Sequence, residues 1–207
     1  MEPTDVNRRM FDEVHRRGSD GRYLLPSIVK QTLRDLAGKS VLHLHCGSGE
    51  GSAELAELGA TVTAIDEDET RLDAARERWP SILWIPADSQ SLPANLRRAR
   101  FDLVYSPEGV LGRLTDVDAW AAGIAASLRT HGELLVFDDH PVSLCVDGLL
   151  RWHVDYFEDG IVRLGRLVTA LVRAGFRVEA LEEYPLDAGG RRHDRRIPGS
   201  FLLYART

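Results

Sequence analysis

Residues 41–51 have the sequence VLHLHCGSGEG, in which a short apolar-rich strand is followed by a cluster of glycines. A strand that leads into a glycine-rich turn and then a helix lets the backbone approach a bound ligand closely. The next predicted strand ends at Asp66, seventeen residues after Gly49, where an acid can accept both hydroxyls of an adenosine ribose. This stretch therefore predicts an α/β fold with a nucleoside-type ligand at its first turn.

The spacing of the glycines separates two classes of ligand. Gly47, Gly49 and Gly51 follow a Gly-x-Gly-x-Gly pattern, whereas a dinucleotide pyrophosphate is seated on a helix N-terminus by Gly-x-Gly-x-x-Gly. A ligand without phosphate needs only the close backbone approach. The pattern therefore disfavours an NAD-dependent oxidoreductase, which stays open as a weaker alternative.

Strand-like and helix-like segments alternate along the chain, which is typical of an α/β fold with a mainly parallel sheet. Strands are predicted at 40–45, 61–66, 82–88, 101–106, 133–139, 177–182 and 201–205, and helices at 4–17, 26–37, 52–58, 69–79, 116–129 and 162–174. In residues 101–106 the apolar residues are too continuous for a sheet with one buried face, as expected of a strand buried on both sides. An irregular segment at 140–160 would lie above the carboxyl ends of the strands, where open α/β sheets bind ligands.

Length and composition predict a single domain over residues 1–207. The formal net charge of −6 argues against a nucleic-acid partner, because phosphate backbones attract basic surfaces. Two cysteines give no disulfide framework, the polar N-terminus is no signal peptide, and no apolar run approaches the roughly 20 residues of a membrane helix. We therefore expect a cytoplasmic monomer or homodimer with no membrane partner and no metal.

Two further motifs follow the glycine turn and Asp66. Ala87-Asp88-Ser89 comes after the third predicted strand, and Phe101-Asp102-Leu103-Val104-Tyr105-Ser106 forms the fourth. Over about residues 20–207, these ordered motifs resemble those of class I S-adenosylmethionine (SAM)-dependent methyltransferases. The resemblance implies a Rossmann-like, seven-stranded, mainly parallel sheet with an antiparallel final strand and helices on both faces. It also implies a helical lid at residues 1–38.

The same resemblance implies roles for the residues of a cofactor site. The glycine turn would hold the methionine part of SAM, Asp66 the ribose and Asp88 the adenine amino group, while Ser89 would give a backbone contact beside the adenine. The implied cofactor-binding residues are Tyr23, His45, Cys46, Gly47, Ser48, Gly49, Asp66, Glu67, Asp88, Ser89 and Ser106.

One position departs from the family pattern. The family usually places an acid where His45 stands, to hold the methionine ammonium, and a neutral imidazole supplies no negative charge. Simpler interpretations stay open elsewhere in the site. They are an exposed strand-end acid at Asp66, a turn cap at Asp88, a strand terminus at Ser106, a packing residue at Cys46 and a tyrosine packed on the sheet at Tyr23.

Methyl transfer from a sulfonium is an in-line displacement, for which the protein must chiefly align the reactants and exclude water. If a base is needed, His140 is the candidate, because it directly follows the fifth strand and an imidazole is largely neutral at pH 7. The alternative is a histidine that fixes the turn before Pro141. Residues 151–157 (RWHVDYF) fit either a substrate lid or a surface helix, and the charged run at 191–196 either an anion site or a solvated loop.

The favoured hypothesis is a SAM-dependent methyltransferase that acts on an oxygen or a nitrogen of a small molecule and releases S-adenosylhomocysteine (SAH). A narrower similarity to bacterial small-molecule methyltransferases rests on Glu108-Gly109-Val110-Leu111, Trp120 and Asp139-His140-Pro141. The alternative from another class is a non-catalytic protein that binds SAM or SAH.

Overall fold

The computed structural model describes residues 24–33, 35–147, 151–186 and 194–207. The predicted helix at 4–17 and Tyr23 lie outside the described residues, as do most of the predicted lid at 1–38 and the first half of the charged run at 191–196. Within the described ranges, no helix is long and apolar enough to cross a membrane.

Seven strands form one sheet in the order β3-β2-β1-β4-β5-β7-β6. They are β1 (Ser40–His43), β2 (Thr61–Asp66), β3 (Leu83–Pro86), β4 (Phe101–Ser106), β5 (Leu128–Asp139), β6 (Arg177–Leu186) and β7 (Asp194–Arg206). The first five strands are parallel, and β7 runs antiparallel between β5 and β6. The predicted sheet is thereby confirmed, and its order reverses between β1 and β4, where such sheets bind ligands.

Five helices cover the two faces of this sheet. They are α1 (Ser27–Thr32), α2 (Glu50–Glu57), α3 (Glu69–Arg78), α4 (Val117–Ser127) and α5 (Leu164–Arg173). The first three contribute to the apolar cluster on one face and the last two to the cluster on the other. An aspartate caps the N-terminus of each of two helices, Asp68 for α3 and Asp116 for α4. The carboxylate of each accepts backbone N–H groups of the first helical turn.

Alternate residues of the central strands enter the two clusters. In β1, Val41 packs on one face and Leu42 on the other, and Leu103 and Val104 do the same in β4. All four side chains are fully buried. Because helices cover both faces, consecutive interior positions of a central strand carry apolar side chains, as at Leu103 and Val104.

The last three strands differ most from the sequence prediction. β5 begins at Leu128 and not at the predicted residue 133. Near its start, the backbone of His131 has a φ of +62°. β6 and β7 both extend beyond their predicted bounds because they pair with each other. Antiparallel pairing satisfies backbone groups outside the apolar stretches, so hydrophobic periodicity underestimates the length of these strands.

Candidate active site

The turn after β1 depends on a glycine at position 49. Gly49 has a φ of +94°, and a Cβ atom there would lie 2.6 Å from Cη2 of Trp84 and 3.1 Å from Cβ of Ala75. Backbone conformation and packing therefore both exclude a side chain. The N–H of Gly49 donates to the carbonyl of Cys46 at 3.1 Å, and α2 begins at the next residue. The predicted strand, glycine turn and helix are thus present.

Asp66 lies at the end of β2 and is joined to this turn. Its carboxylate is buried, with Oδ2 accepting the N–H of Gly47 at 2.9 Å and Oδ1 accepting the N–H of Asp68 at 3.0 Å. The interpretation of Asp66 as an exposed strand-end acid is therefore wrong. Each carboxylate oxygen has a second lone pair, so the group can still accept a hydroxyl of a ligand.

Asp88 and Ser89 follow β3 at the same edge of the sheet. Oδ1 of Asp88 accepts the N–H of Gln90 at 2.8 Å, and Oδ2 lies 3.3 Å from the hydroxyl of Ser91. Asp88 thus caps a short 3₁₀ turn, as the simpler interpretation held, and the cap leaves lone pairs for an adenine amino group. Ser89 is buried directly beside it.

His45 lies between these groups and the glycine turn. Its φ is +44°, in the left-handed region that costs a non-glycine residue about 1 to 2 kcal/mol. Its Nε2 is 2.7 Å from Oγ of Ser89. Burial lowers the pKa of His45, while the carboxylates of Asp66, Glu67 and Asp88 act in the opposite direction. The ring is therefore neutral at pH 7 and does not replace an acid; it makes a contact between two loops.

Ser48 and Cys46 are the two other side chains of the glycine turn that the sequence assigned to the cofactor site. The hydroxyl of Ser48 lies 2.5 Å from Oε2 of Glu50, whose Oε1 accepts from Arg78 at 2.8 Å. Burial, with a smaller effect of the Asp66 charge, raises the pKa of the Cys46 thiol. The raised pKa keeps the thiol of Cys46 neutral, and a neutral thiol is a poor nucleophile. This supports the interpretation of Cys46 as a packing residue.

Ser106 ends β4 at the carboxyl edge of the sheet. Its hydroxyl is fully buried and has no hydrogen-bond partner among the described residues. A buried hydroxyl of this kind is stabilised when a polar ligand atom or water reaches it. The acid, the backbone N–H groups of the turn and this hydroxyl are a donor and acceptor set that fits a polar, phosphate-free nucleoside.

Comparison with known proteins finds the same motifs in one family. A family model described as a methyltransferase domain matches residues 41–132, which include the glycine turn, Asp66 and Ser89. The ubiquinone biosynthesis O-methyltransferase of Rhodopseudomonas palustris is 32% identical over 115 residues, which cover 51% of this chain and 42% of that protein. An uncharacterized methyltransferase of Synechocystis is 33% identical over 69 residues, 33% of this chain and 32% of that protein. The chain spans less than half the length of these curated relatives.

Solved structures share the fold over most of the chain. A SAM-dependent methyltransferase from Mesorhizobium loti superposes with a TM-score of 0.72 at 24% identity, covering 87% of this chain and 96% of that one. A second, from Listeria monocytogenes, gives 0.72 at 22% identity, covering 87% and 95%. The chain therefore has the fold of SAM-dependent methyltransferases, and its residues 41–132 match the methyltransferase domain. SAM is the cofactor that this match implies.

The protein contains a buried carboxylate that sequence reasoning missed. Asp138, near the end of β5, is 1% exposed and accepts four backbone N–H groups. The donors and their N···O distances are Gly109 (2.6 Å), Val110 (3.1 Å), Leu111 (2.8 Å) and Asp139 (2.7 Å). Three of these donors belong to the loop after β4, so one side chain fixes this loop beside the cofactor site. A charged residue directly after the apolar run 134–137 is the signal that could have found it.

Burial raises the pKa of Asp138 from 3.8 to about 7, although the N–H donors act in the opposite direction. The folded protein therefore binds a proton at this site more tightly than the unfolded chain. The resulting stabilisation is complete below about pH 4 and is lost as the pH rises through about 7. We expect the free energy of unfolding, relative to an Asp138→Asn variant, to be larger at pH 5 than at pH 8. Denaturant titration at both pH values measures this difference, and a larger value at pH 8 would show that the N–H donors outweigh burial.

His140 has both ring nitrogens engaged in hydrogen bonds. Nε2 lies 2.8 Å from Oε1 of Glu183 in β6, and Nδ1 accepts the N–H of Val142 at 3.1 Å. The ring is buried, with its edge toward Phe201. Burial lowers the pKa of His140, against the effect of Glu183. The geometry supports the interpretation of a histidine that fixes the turn, because one contact must break before the ring can accept a proton from a substrate.

The segment at 140–160 contains no α-helix among its described residues. It has a 3₁₀ turn at Ser143–Cys145 and an isolated bridge between Val146 and Trp152. Trp152 and Phe157 are 62% and 71% exposed, so the predicted surface helix packed by these two rings is wrong. The lid interpretation stays a prediction. In the described parts of the chain, no group of three histidine, cysteine or acidic side chains is arranged to hold a metal ion.

Proposed function

We propose that this protein transfers the methyl group of SAM to an oxygen atom of a small molecule. The observation that carries the proposal is the gathering of the glycine turn, Asp66 and Ser89 at one edge of the parallel strands. An oxygen acceptor is favoured over nitrogen because the relatives from Rhodopseudomonas palustris are ubiquinone biosynthesis O-methyltransferases.

The residues of this edge divide the binding of the cofactor between them. The carboxylate of Asp66 accepts the ribose hydroxyls, and the backbone at 46–49 lies against the methionine part. Asp88 and Ser89 hold the adenine, and the hydroxyl of Ser106 meets a polar atom near the end of β4. When bound, SAM supplies a methyl group on a positively charged sulfur, which is already activated for displacement.

The acceptor site lies between the loop after β4 and the segment after β5. A cavity of about 60 Å³ is lined there by Gly109, Leu111, Asp138, Asp139, Pro141 and Ile161. A second cavity of about 230 Å³ adjoins it, and both are lined by residues 160–162. Because Asp138 fixes the loop at 109–111, it positions one wall of this acceptor site.

Bound SAM would supply its methyl group to the acceptor oxygen as the carbon–sulfur bond breaks and SAH forms, and the acceptor hydroxyl would give its proton to solvent water. Both nitrogens of His140 are occupied, so we assign no side chain as base. The protein acts by holding the oxygen in line with the methyl group and excluding water. A phenol loses its proton more readily than an alcohol, which makes a phenolic hydroxyl the acceptor that needs least help from the protein.

Calorimetric titration with SAM, SAH and NADH, followed by assay of radiolabelled methyl transfer, tests the proposal. We expect micromolar binding of SAM and SAH, no binding of NADH, and transfer to catechol in preference to aniline. Binding of NADH alone would overturn the proposal. Binding of SAM without transfer to any hydroxyl in a panel of phenols would favour the non-catalytic alternative, and transfer to the amine alone would replace the oxygen acceptor by nitrogen.

A further inference from the structure

The contact between His45 and Ser89 crosses the end of a strand that lies between them. His45 follows β1 and Ser89 follows β3, and the sheet order β3-β2-β1 places β2 in the middle. Neighbouring strands lie about 4.8 Å apart, so β1 and β3 are separated by about 10 Å. The His45 side chain therefore spans the carboxyl end of β2, where the carboxylate of Asp66 lies.

The charges around the ring agree with this position. The carboxylates that act on the His45 imidazole are those of Asp66, Glu67 and Asp88, and Arg113 is the basic group near it. Asp66 and Asp88 are the groups that the proposed function assigns to the ribose and the adenine. The ring thus lies near both side chains that would hold the adenosyl group.

We propose that His45 and Ser89 form a bridge that closes the cofactor cleft and opens when the adenosyl group binds. This inference rests on the proposed function, because it concerns the same site. The bridge joins two loops through a single contact of 2.7 Å between side chains. Opening it requires only a rotation of the His45 side chain, and the cofactor must compete with the Ser89 hydroxyl for the space. The bridge therefore lowers cofactor affinity in the wild-type protein.

Two variants remove the bridge from opposite ends. His45→Gly removes the ring and suits the positive φ, and Ser89→Ala removes the hydroxyl while keeping the backbone contact beside the adenine. We expect each to bind SAH between about two- and tenfold more tightly than the wild type, since a hydrogen bond contributes about that much.

His131→Gly is the matched control. His131 also has a positive φ, of +62°, but it is exposed near the start of β5, at the opposite edge of the sheet from the cleft. Calorimetry of SAH binding compares the variants. NMR of the His45 ring, assigned by its loss in His45→Gly, reports the opening directly. We expect the ring resonances of the wild type to shift when SAH is added.

The outcomes separate the bridge from the proposed function. Tighter binding by both variants, with an unchanged control, supports the bridge. Weaker binding by His45→Gly would make His45 an ordinary cofactor contact. Unchanged binding by both variants, or ring resonances that do not move, would show that the bridge does not compete with the cofactor. Each of these results overturns the bridge and leaves the proposed function intact. Failure of all variants and the wild type to bind SAM or SAH would remove the proposed function and the bridge together.

Discussion

Replacing Asp66 with alanine is expected to weaken SAM and SAH binding by at least about 100-fold, because charge-assisted hydrogen bonds to a ribose are worth about 1.5 to 3 kcal/mol each. The same change releases the N–H groups of Gly47 and Asp68, which the carboxylate accepts at 2.9 and 3.0 Å. The glycine turn then loses its connection to β2. Calorimetric titration of the folded variant with SAH measures the effect.

Asp102→Ala is the matched control for this loss of affinity. Asp102 also accepts a backbone N–H, from Ser40 at 2.7 Å, but it lies at the start of β4, at the opposite edge of the sheet. We expect this variant to lose stability and to keep its affinity for SAH. Equal affinity of the Asp66→Ala variant and the wild type would show that Asp66 holds the turn and does not bind the ribose.

Replacing Asp138 with alanine is expected to lower the free energy of unfolding by about 3 kcal/mol, since four N–H groups lose their acceptor and buried unpaired donors cost about 1 to 3 kcal/mol each. Relief of the buried carboxylate offsets part of that cost. The loop at 109–111 would also lose its position, so SAM turnover should fall more than SAM binding. Denaturant unfolding and radiolabelled methyl transfer measure the two effects.

Asp73→Ala removes the same group from an exposed position on α3. Its side chain is 68% exposed and pairs with Arg76 three residues later, and such surface pairs contribute about 0 to 1 kcal/mol. We expect a change of less than about 0.5 kcal/mol in this control. A loss at Asp138 as small as that of the control would mean that water replaces the carboxylate as acceptor for the loop.

The architecture could be predicted from the sequence because its signals are local. The sequence predicts β2 and β4 with the bounds that the structure has, since both are short apolar strands between clear turn signals. The ends of β6 and β7 could not be predicted in this way, because they depend on pairing with each other and not on an apolar pattern.

In the candidate site too, residues in local motifs could be predicted, and contacts between distant parts of the chain could not. Gly49 and Asp66 stand in local motifs, so their place in the site could be predicted. The contact of His45 with Ser89 joins residues 44 positions apart, and Asp138 reaches donors 27 to 29 positions away. No local pattern records such contacts, and for this reason the sequence predicts His45 as a neutral substitute for an acid and passes over Asp138.

The place of β7 in the sheet has a consequence for synthesis. β7 comes last among the seven strands, yet it lies between β5 and β6. A nascent chain that has passed β6 but not yet β7 presents the long edge of β5 with unpaired N–H and carbonyl groups. Such an edge readily pairs with other chains. We therefore expect the chain to aggregate more readily before β7 has emerged from the ribosome than after it.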